Sequence, residues 1–226
     1  MSDVPVLRAE EIRRVFRRDR YDIHVLKGVS LSIRRGETVG VVGVSGAGKT
    51  TLLQILGTLD RPTSGRILFE GEDITGLREE QLASLRNRKI GFVFQFHNLL
   101  PEFSVLDNVM LPCRIAGMDP REARRRAESL LGEVGLSERL AHRMGEISGG
   151  EQQRAAVCRA LVMEPSVLLA DEPTGNLDRT TAAGMVDLLL ELNRARGLSV
   201  LMVTHNDRVA GRLDRVIRID DGRIVE

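Results

Sequence analysis

Two hydrophobic patterns alternate along the chain, and they predict two kinds of surroundings. Between residues 4 and 33, "VLRAEEIRRVF" and, after a charged turn, "VLKGVSLSI" alternate apolar with polar positions, the period of half-buried strands. "ETVGVVG" (37–43), the segment Ile90 to Phe94, "VLLAD" (167–171) and "SVLMVTH" (199–205) are short apolar runs, as expected of strands covered on both faces. "SGRILFEGEDI" (64–74) predicts one more strand, with glycine near both ends, and "RVIRIDDGRIVE" (215–226) a closing hairpin. Helical spacing appears in "GKTTLLQILGTL" (48–59), in the amphipathic "REEQLASLRNR" (78–88) and near 179–196. Residues 104 to 146 are helix-rich, with Asp119 as a cap and Pro120 at a first helical position. Strands alternating with helices imply an α/β core with a mostly parallel sheet. The early strands precede that pattern and the middle helices interrupt it.

Composition narrows the partners. The chain has 226 residues, 42% hydrophobic and 29% charged, which allows one large α/β domain or a core with a smaller lobe. With 33 basic against 32 acidic residues, net charge is +1, so nothing global points to nucleic acid or a membrane surface. The clusters Arg13-Arg14, Arg17-Arg18 and Arg124 to Arg126 are interleaved with acids and read as solvated faces. Cys113 and Cys158 stand far apart without a CxxC, which predicts reduced thiols and no metal site. "MSDVPVLRAEEIRRVF" lacks the apolar core of a signal peptide, and no apolar run reaches the length of a membrane span. A role at a membrane would require another protein to hold the chain there.

The chemistry concentrates in a few runs. "GVSGAGKT", Gly43 to Thr50, fits a P-loop and lies between an apolar strand and a helix, as that motif requires. Gly43, Ser45, Gly46, Ala47 and Gly48 would wrap phosphate oxygens with backbone N–H groups at a helix N-terminus, and Thr51 extends the site. Lys49 is placed for the β- and γ-phosphates and the Thr50 hydroxyl for Mg²⁺. In "SVLLADEP", Asp171 ends a buried strand and suits a metal-binding carboxylate. Glu172 follows directly, and so is expected to point elsewhere, towards an attacking water as general base. "ISGGEQQR" holds Ser148, Gly149, Gly150 and Glu151 at another helix start, a second anion site that one nucleotide does not need from the same subunit.

Together these runs resemble the ATP-binding-cassette (ABC) ATPases, over essentially the whole chain. The resemblance implies a P-loop α/β core with an N-terminal antiparallel β lobe and a helical subdomain, residues 1–95 and 160–226 forming the core and 96–159 the subdomain. It implies ATP and Mg²⁺ as cofactors, with Thr50, Gln95 and Asp171 at the metal and Lys49, Gln95, Glu172 and His205 as catalytic residues. Gln95 matches the Q-loop glutamine, Asp178 in "GNLD" the D-loop, and His205 the switch histidine at the γ-phosphate. Phe16 matches the aromatic that stacks on adenine, with Tyr21 the weaker candidate. In this family the signature of one subunit, here Ser148 to Glu151, closes on the nucleotide of a second copy. Ile147 stands where leucine is usual, a change of branching that keeps the packing.

"LRNRKIGFVFQFHNLLPEFSVLDNV" is similar to the lipoprotein-releasing members of the family. Those imply two membrane subunits of the LolC/LolE kind, at the cytoplasmic face of a bacterial inner membrane, and no nucleic acid. MacB-type efflux and mechanotransmission ATPases, FtsE-like cell-division ATPases and peptide-resistance ATPases share much of the pattern and stay as alternatives. A cassette acting on DNA or ribosomes usually carries long coiled-coil insertions or a second cassette, and this chain has one compact cassette. Four of the six phenylalanines lie between 92 and 103. Phe92 and Phe94 are expected in the core, whereas Phe96, Leu99, Leu100 and Phe103 are expected to form an exposed apolar cluster for a partner.

Overall fold

The computed structural model describes residues 4–18 and 21–225; the first three residues, the tip of the charged turn and Glu226 lie outside the described residues. A six-stranded sheet forms the centre, in the order β10-β9-β3-β8-β7-β6. Its strands β3 (Thr38–Val42), β6 (Ile90–Phe94), β7 (Val167–Asp171), β8 (Ser199–Val203) and β9 (Arg215–Asp220) pair in parallel, and β10 (Arg223–Ile224) returns antiparallel to β9. The continuous apolar runs follow from this position. Leu168, Ala170, Val200 and Met202 point into one core, while Val39, Val41, Leu169, Leu201 and Val203 point into another on the opposite face.

The second core is closed by an antiparallel sheet of order β2-β1-β4-β5, made of β1 (Leu7–Arg18), β2 (Tyr21–Ile33), β4 (Ser64–Phe69) and β5 (Glu72–Asp73). Leu7, Ala9 and Ile12 of β1 are buried, and three register shifts against β2 disturb the strict alternation. The run 64–74 is a hairpin, not the single strand that its composition suggests. Glu70 and Gly71 both adopt positive φ, 50° and 92°, and Phe69 pairs with Glu72 around them. Two left-handed residues in a row give a turn whose twist suits a tight hairpin.

Helices cover the first core. They are α3 (Val105–Ile115), α4 (Pro120–Glu133), α5 (Gly149–Leu161) and α6 (Arg179–Arg196), while α1 (Lys49–Leu56) and α2 (Glu79–Lys89) lie on the side of the second. Asp119 caps α4 by accepting from the N–H groups of Arg121 and Glu122, with Pro120 in the first turn as expected. The apolar stripe of α2 is narrow, since Leu82 alone is fully buried. A four-residue helix α7 (Asp207–Ala210) and short 3₁₀ turns at Ser137–Arg139 and Met144–Glu146 are too brief for periodicity to reveal. Cys113 and Cys158 are free and buried, and burial pushes the Cys158 thiol up to about 12, which leaves it inert as a nucleophile. Among the described residues no helix is long and apolar enough to cross a membrane.

Helix α5 lies close against β6. A Cβ at Gly91 would sit 2.7 Å from the Ala160 carbonyl oxygen and 2.9 Å from Leu168 Cδ1, so only glycine admits this approach. Gly91→Ala is expected to destabilise the protein by about 1–3 kcal/mol by overpacking. Urea denaturation checks this; a variant as stable as the wild type would show that α5 can move away from the sheet freely.

Candidate active site

The turn after β3 is built around Gly48, which caps α1 with φ 99°. Lys49 therefore opens the helix, and α1 carries no acidic residue in its first turn to compete for an anion. The Lys49 ammonium donates to the carbonyl oxygens of Gly43 (2.8 Å) and Val44 (2.9 Å), across the loop that it belongs to. A cavity of about 370 Å³ opens over this turn, floored by Gly43, Ser45, Gly46, Gly48, Thr50 and Thr51. Ala47 is buried beneath it.

Asp171, Glu172 and His205 line the same cavity. Adjacent residues of a strand face opposite ways, so Asp171 and Glu172 share a site only because the backbone turns over between them. Glu172 has φ 47°, and its N–H donates to the Val203 carbonyl at 3.0 Å. Left-handed geometry in a residue with a side chain costs about 1–3 kcal/mol and concentrates at functional sites. The turn brings the Glu172 side chain into the cavity that Asp171 also lines. Its carboxylate Oε1 lies 2.8 Å from His205 Nδ1, with Glu172 largely buried and His205 73% exposed. The His205 ring thus donates to the carboxylate through Nδ1.

Burial raises the pKa of Asp171, opposed by a hydrogen bond from the Thr50 hydroxyl; the Glu172 charge raises it further and Lys49 lowers it. A carboxylate and a hydroxyl side by side are a hard-oxygen pair suited to Mg²⁺, which keeps most of its positions for water and phosphate oxygens. No cluster of three or more His, Cys, Asp or Glu suited to a metal occurs among the described residues.

Gln95 is not brought to this group. It follows β6, and its amide donates to Asn176 Oδ1 (3.1 Å) while Asn176 Nδ2 donates to the Gln95 carbonyl (3.0 Å). A Cβ at Gly175 would meet the Gln95 amide at 2.9 Å, so the glycine makes room for the pairing. Asn176 was not singled out by the sequence, since its role depends on a loop 81 residues away. Asp178 caps α6, accepting from the N–H groups of Thr180 and Thr181 at 3.0 and 3.1 Å.

The second anion site is also outside the cavity. Ser148 caps α5, and Glu151 accepts from both the Ser148 N–H and hydroxyl at 2.8 Å. These hydrogen bonds, with Arg139 at 3.1 Å, lower the Glu151 carboxyl to about 2. Ser148 and Gly149 are exposed, and Gly150 rests against Thr181 of α6.

Phe16 pairs with Ile23 across β1 and β2, and Ile23 lies two residues before Val25, which lines the cavity. A register shift between Arg14 and Val15 leaves Val25 as an extra residue in β2, and Phe16 lines a separate pocket with Arg14, Asp22, His24 and Thr63. The Arg14 guanidinium lies 4.3 Å from the ring centroid and is itself held by Asp60 at 2.9 Å. Phe16 is 39% exposed and Tyr21 78%.

Residues 26–175 match the family model described as ABC transporter. The chain is 56% identical to the lipoprotein-releasing system ATP-binding protein LolD of Syntrophus aciditrophicus over 97% of this chain and 99% of that one. It is 55% identical to the LolD of Geobacter metallireducens over 90% of each, and 48% identical to that of Coxiella burnetii over 99% and 97%. Among solved structures it is similar to the dimeric bacterial ABC transporter cassette MJ0796, with 39% identity, a TM-score of 0.89 and 97% of each chain covered. The post-hydrolysis dimer of that cassette bound to ADP and phosphate aligns with the same TM-score and coverage at 38% identity.

Phe16 is proposed as the base platform, from the family resemblance and its partly exposed ring. Phe16→Ala is expected to weaken ATP binding by about 1–3 kcal/mol, the scale of aromatic stacking on a base. Tyr21→Ala should change it much less. Titration calorimetry decides, and the opposite ranking would move the contact to Tyr21.

Proposed function

This chain belongs to the ABC transporter family, as an ATP-binding subunit of the LolD type, and from that membership we propose that it is the ATP-hydrolysing motor of a lipoprotein-releasing transporter. The carrying observation is the cavity where Lys49, Thr50, Asp171, Glu172 and His205 converge. ATP binds with its phosphates on the loop from Gly43 to Thr51, and Lys49 exchanges its loop carbonyls for phosphate oxygens. Thr50 and Asp171 would hold Mg²⁺, with Gln95 approaching when its loop moves, and the ion would offset charge on the phosphates. Glu172 accepts a proton from the attacking water while the β–γ bridging bond breaks, giving ADP and phosphate. His205 orients that carboxylate through Nδ1.

Two copies complete the sites. Ser148 and Gly150 of one chain face Lys49 of the other, with Asp178 near the seam and the helical segment 96–159 carrying the signature across. The exposed position of Ser148 and Gly149, outside their own chain's cavity, supports this arrangement, as does the dimeric cassette that the chain resembles. The identity to LolD proteins supports two membrane subunits of the LolC/LolE kind as partners, at the cytoplasmic face of a bacterial inner membrane. The docking surface lies after β6. Phe96 is 71% and Leu100 41% exposed, whereas Leu99 packs on the helical core and Phe103 is half-buried, which leaves Phe96 and Leu100 for a short cytoplasmic helix of the membrane subunit.

Glu172→Gln is expected to retain ATP, abolish turnover and accumulate an ATP-bound dimer, read by light scattering with and without the membrane subunits. A chain that stays monomeric under both conditions would sink the shared site. Leu100→Asp should leave folding and basal ATPase activity intact while removing the chain from complexes purified out of detergent-solubilised membranes. Normal co-purification of that variant would place the docking surface elsewhere.

A further inference from the structure

The loop between β6 and α3 is fastened by polar side chains that none of the steps above uses. Asn108 of α3, fully buried, accepts from the Leu100 N–H at 2.8 Å and donates to the carbonyl oxygens of Leu100 and Ser104, both at 3.0 Å. Arg159 of α5 donates to the carbonyl oxygens of Asn98 (2.6 Å) and His97 (2.9 Å). It forms no ion pair among the described residues, and burial lowers its pKa. A half-buried guanidinium satisfied by loop carbonyls holds those carbonyls in place, because losing them would leave its donors without partners.

Gln153, also in α5 and with no exposed surface, makes the most consequential contacts. Its Nε2 donates to the Pro173 carbonyl at 2.7 Å and reaches the Phe94 carbonyl at 3.4 Å. Those carbonyls accept only, so they fix which end of the amide is nitrogen. The remaining Oε1 faces His97 Nδ1 in a short contact, and the ring must carry its proton there. Phe94 ends β6, one residue before Gln95, and Pro173 immediately follows Glu172. One side chain, five residues beyond the Ser148 cap, thus joins the ends of both strands that carry the hydrolytic groups.

We propose that Gln153, with Arg159 beside it, is the positioning residue that ties a chain's signature helix to that chain's own hydrolytic loops. A shift of the backbone around Glu172 or Gln95 then displaces α5, and with it the signature offered to the partner's nucleotide. This inference rests on the nucleotide reading of the cavity and adds a path from one site to the other. The path starts at Pro173 and Phe94, crosses the Gln153 amide and ends at Ser148.

Amide hydrogen exchange on the full chain tests it, using the β,γ-imido analogue of ATP with Mg²⁺ at a concentration where sedimentation shows monomer. No partner then covers the signature. In the wild type, exchange should slow both at 43–52 and at 148–152. In Gln153→Met, which keeps volume but removes the hydrogen bonds, the first protection should persist and the second be lost. Should that variant fail to fold, Arg159→Met is read in the same way. A signature response retained in the folded variant overturns the proposal, as does a wild type that protects 43–52 but not 148–152. Missing protection at 43–52 in the wild type would instead overturn the nucleotide reading itself.

Discussion

Everything at the site depends on the register of the parallel ladder. Val41 pairs with Val203, Val203 with Asp171, and Asp171 with Phe94, so four strands end in one row. The phosphate loop, Glu172, Gln95 and the turn to His205 leave from that row. Because β7 and β8 bury alternate residues in two different cores, a slip of one position would exchange the two side-chain sets and misfit both cores.

The fixed ends explain which groups the loops must hold themselves. Lys49 bonds to the carbonyls of its own loop, Gln95 to Asn176, and Glu172 to His205. Each is a polar side chain satisfied by a neighbour that a nucleotide or its metal can replace. Gln153, Asn108 and Arg159 differ, since they lie outside the cavity and bond backbone groups of the loop after β6 or of Pro173. Leaving a buried amide or guanidinium without those partners costs about 1–3 kcal/mol or more. The first set is exchangeable and the second is structural, within the same few residues of chain.

Much of this was legible in the sequence. Apolar runs bounded by glycine or acid located β3, β7 and β8, and the cap of Asp119 with Pro120 located α4, because these depend on local chemistry. The residues of the phosphate loop were legible because backbone approach to phosphate demands glycine at set spacings. Features decided by a single dihedral were not. The left-handed turns at Glu70 and Glu172 convert a strand into a hairpin and bring adjacent carboxylates together, and glutamate has no particular preference for that geometry. Contacts that span the chain, such as Gln153 with Pro173 and Gln95 with Asn176, leave no local pattern.

The proposed signature helix would keep its anion site ready through its own side chains. The Ser148 side chain accepts from the Glu151 N–H, which satisfies one of the free donors at the start of α5. Glu151 in turn accepts from the N–H and hydroxyl of Ser148, and Arg139 balances its charge. The N–H groups of Gly149 and Gly150 remain, on residues without side chains to shield them. A carboxylate beside them would repel a phosphate if it were uncompensated, and the Arg139 pair reduces that repulsion. In the proposed dimer a partner's phosphate would meet the Gly149 and Gly150 N–H groups and the Ser148 hydroxyl at this helix N-terminus. Preorganisation of this kind lowers the ordering cost of closing two such subunits on a nucleotide.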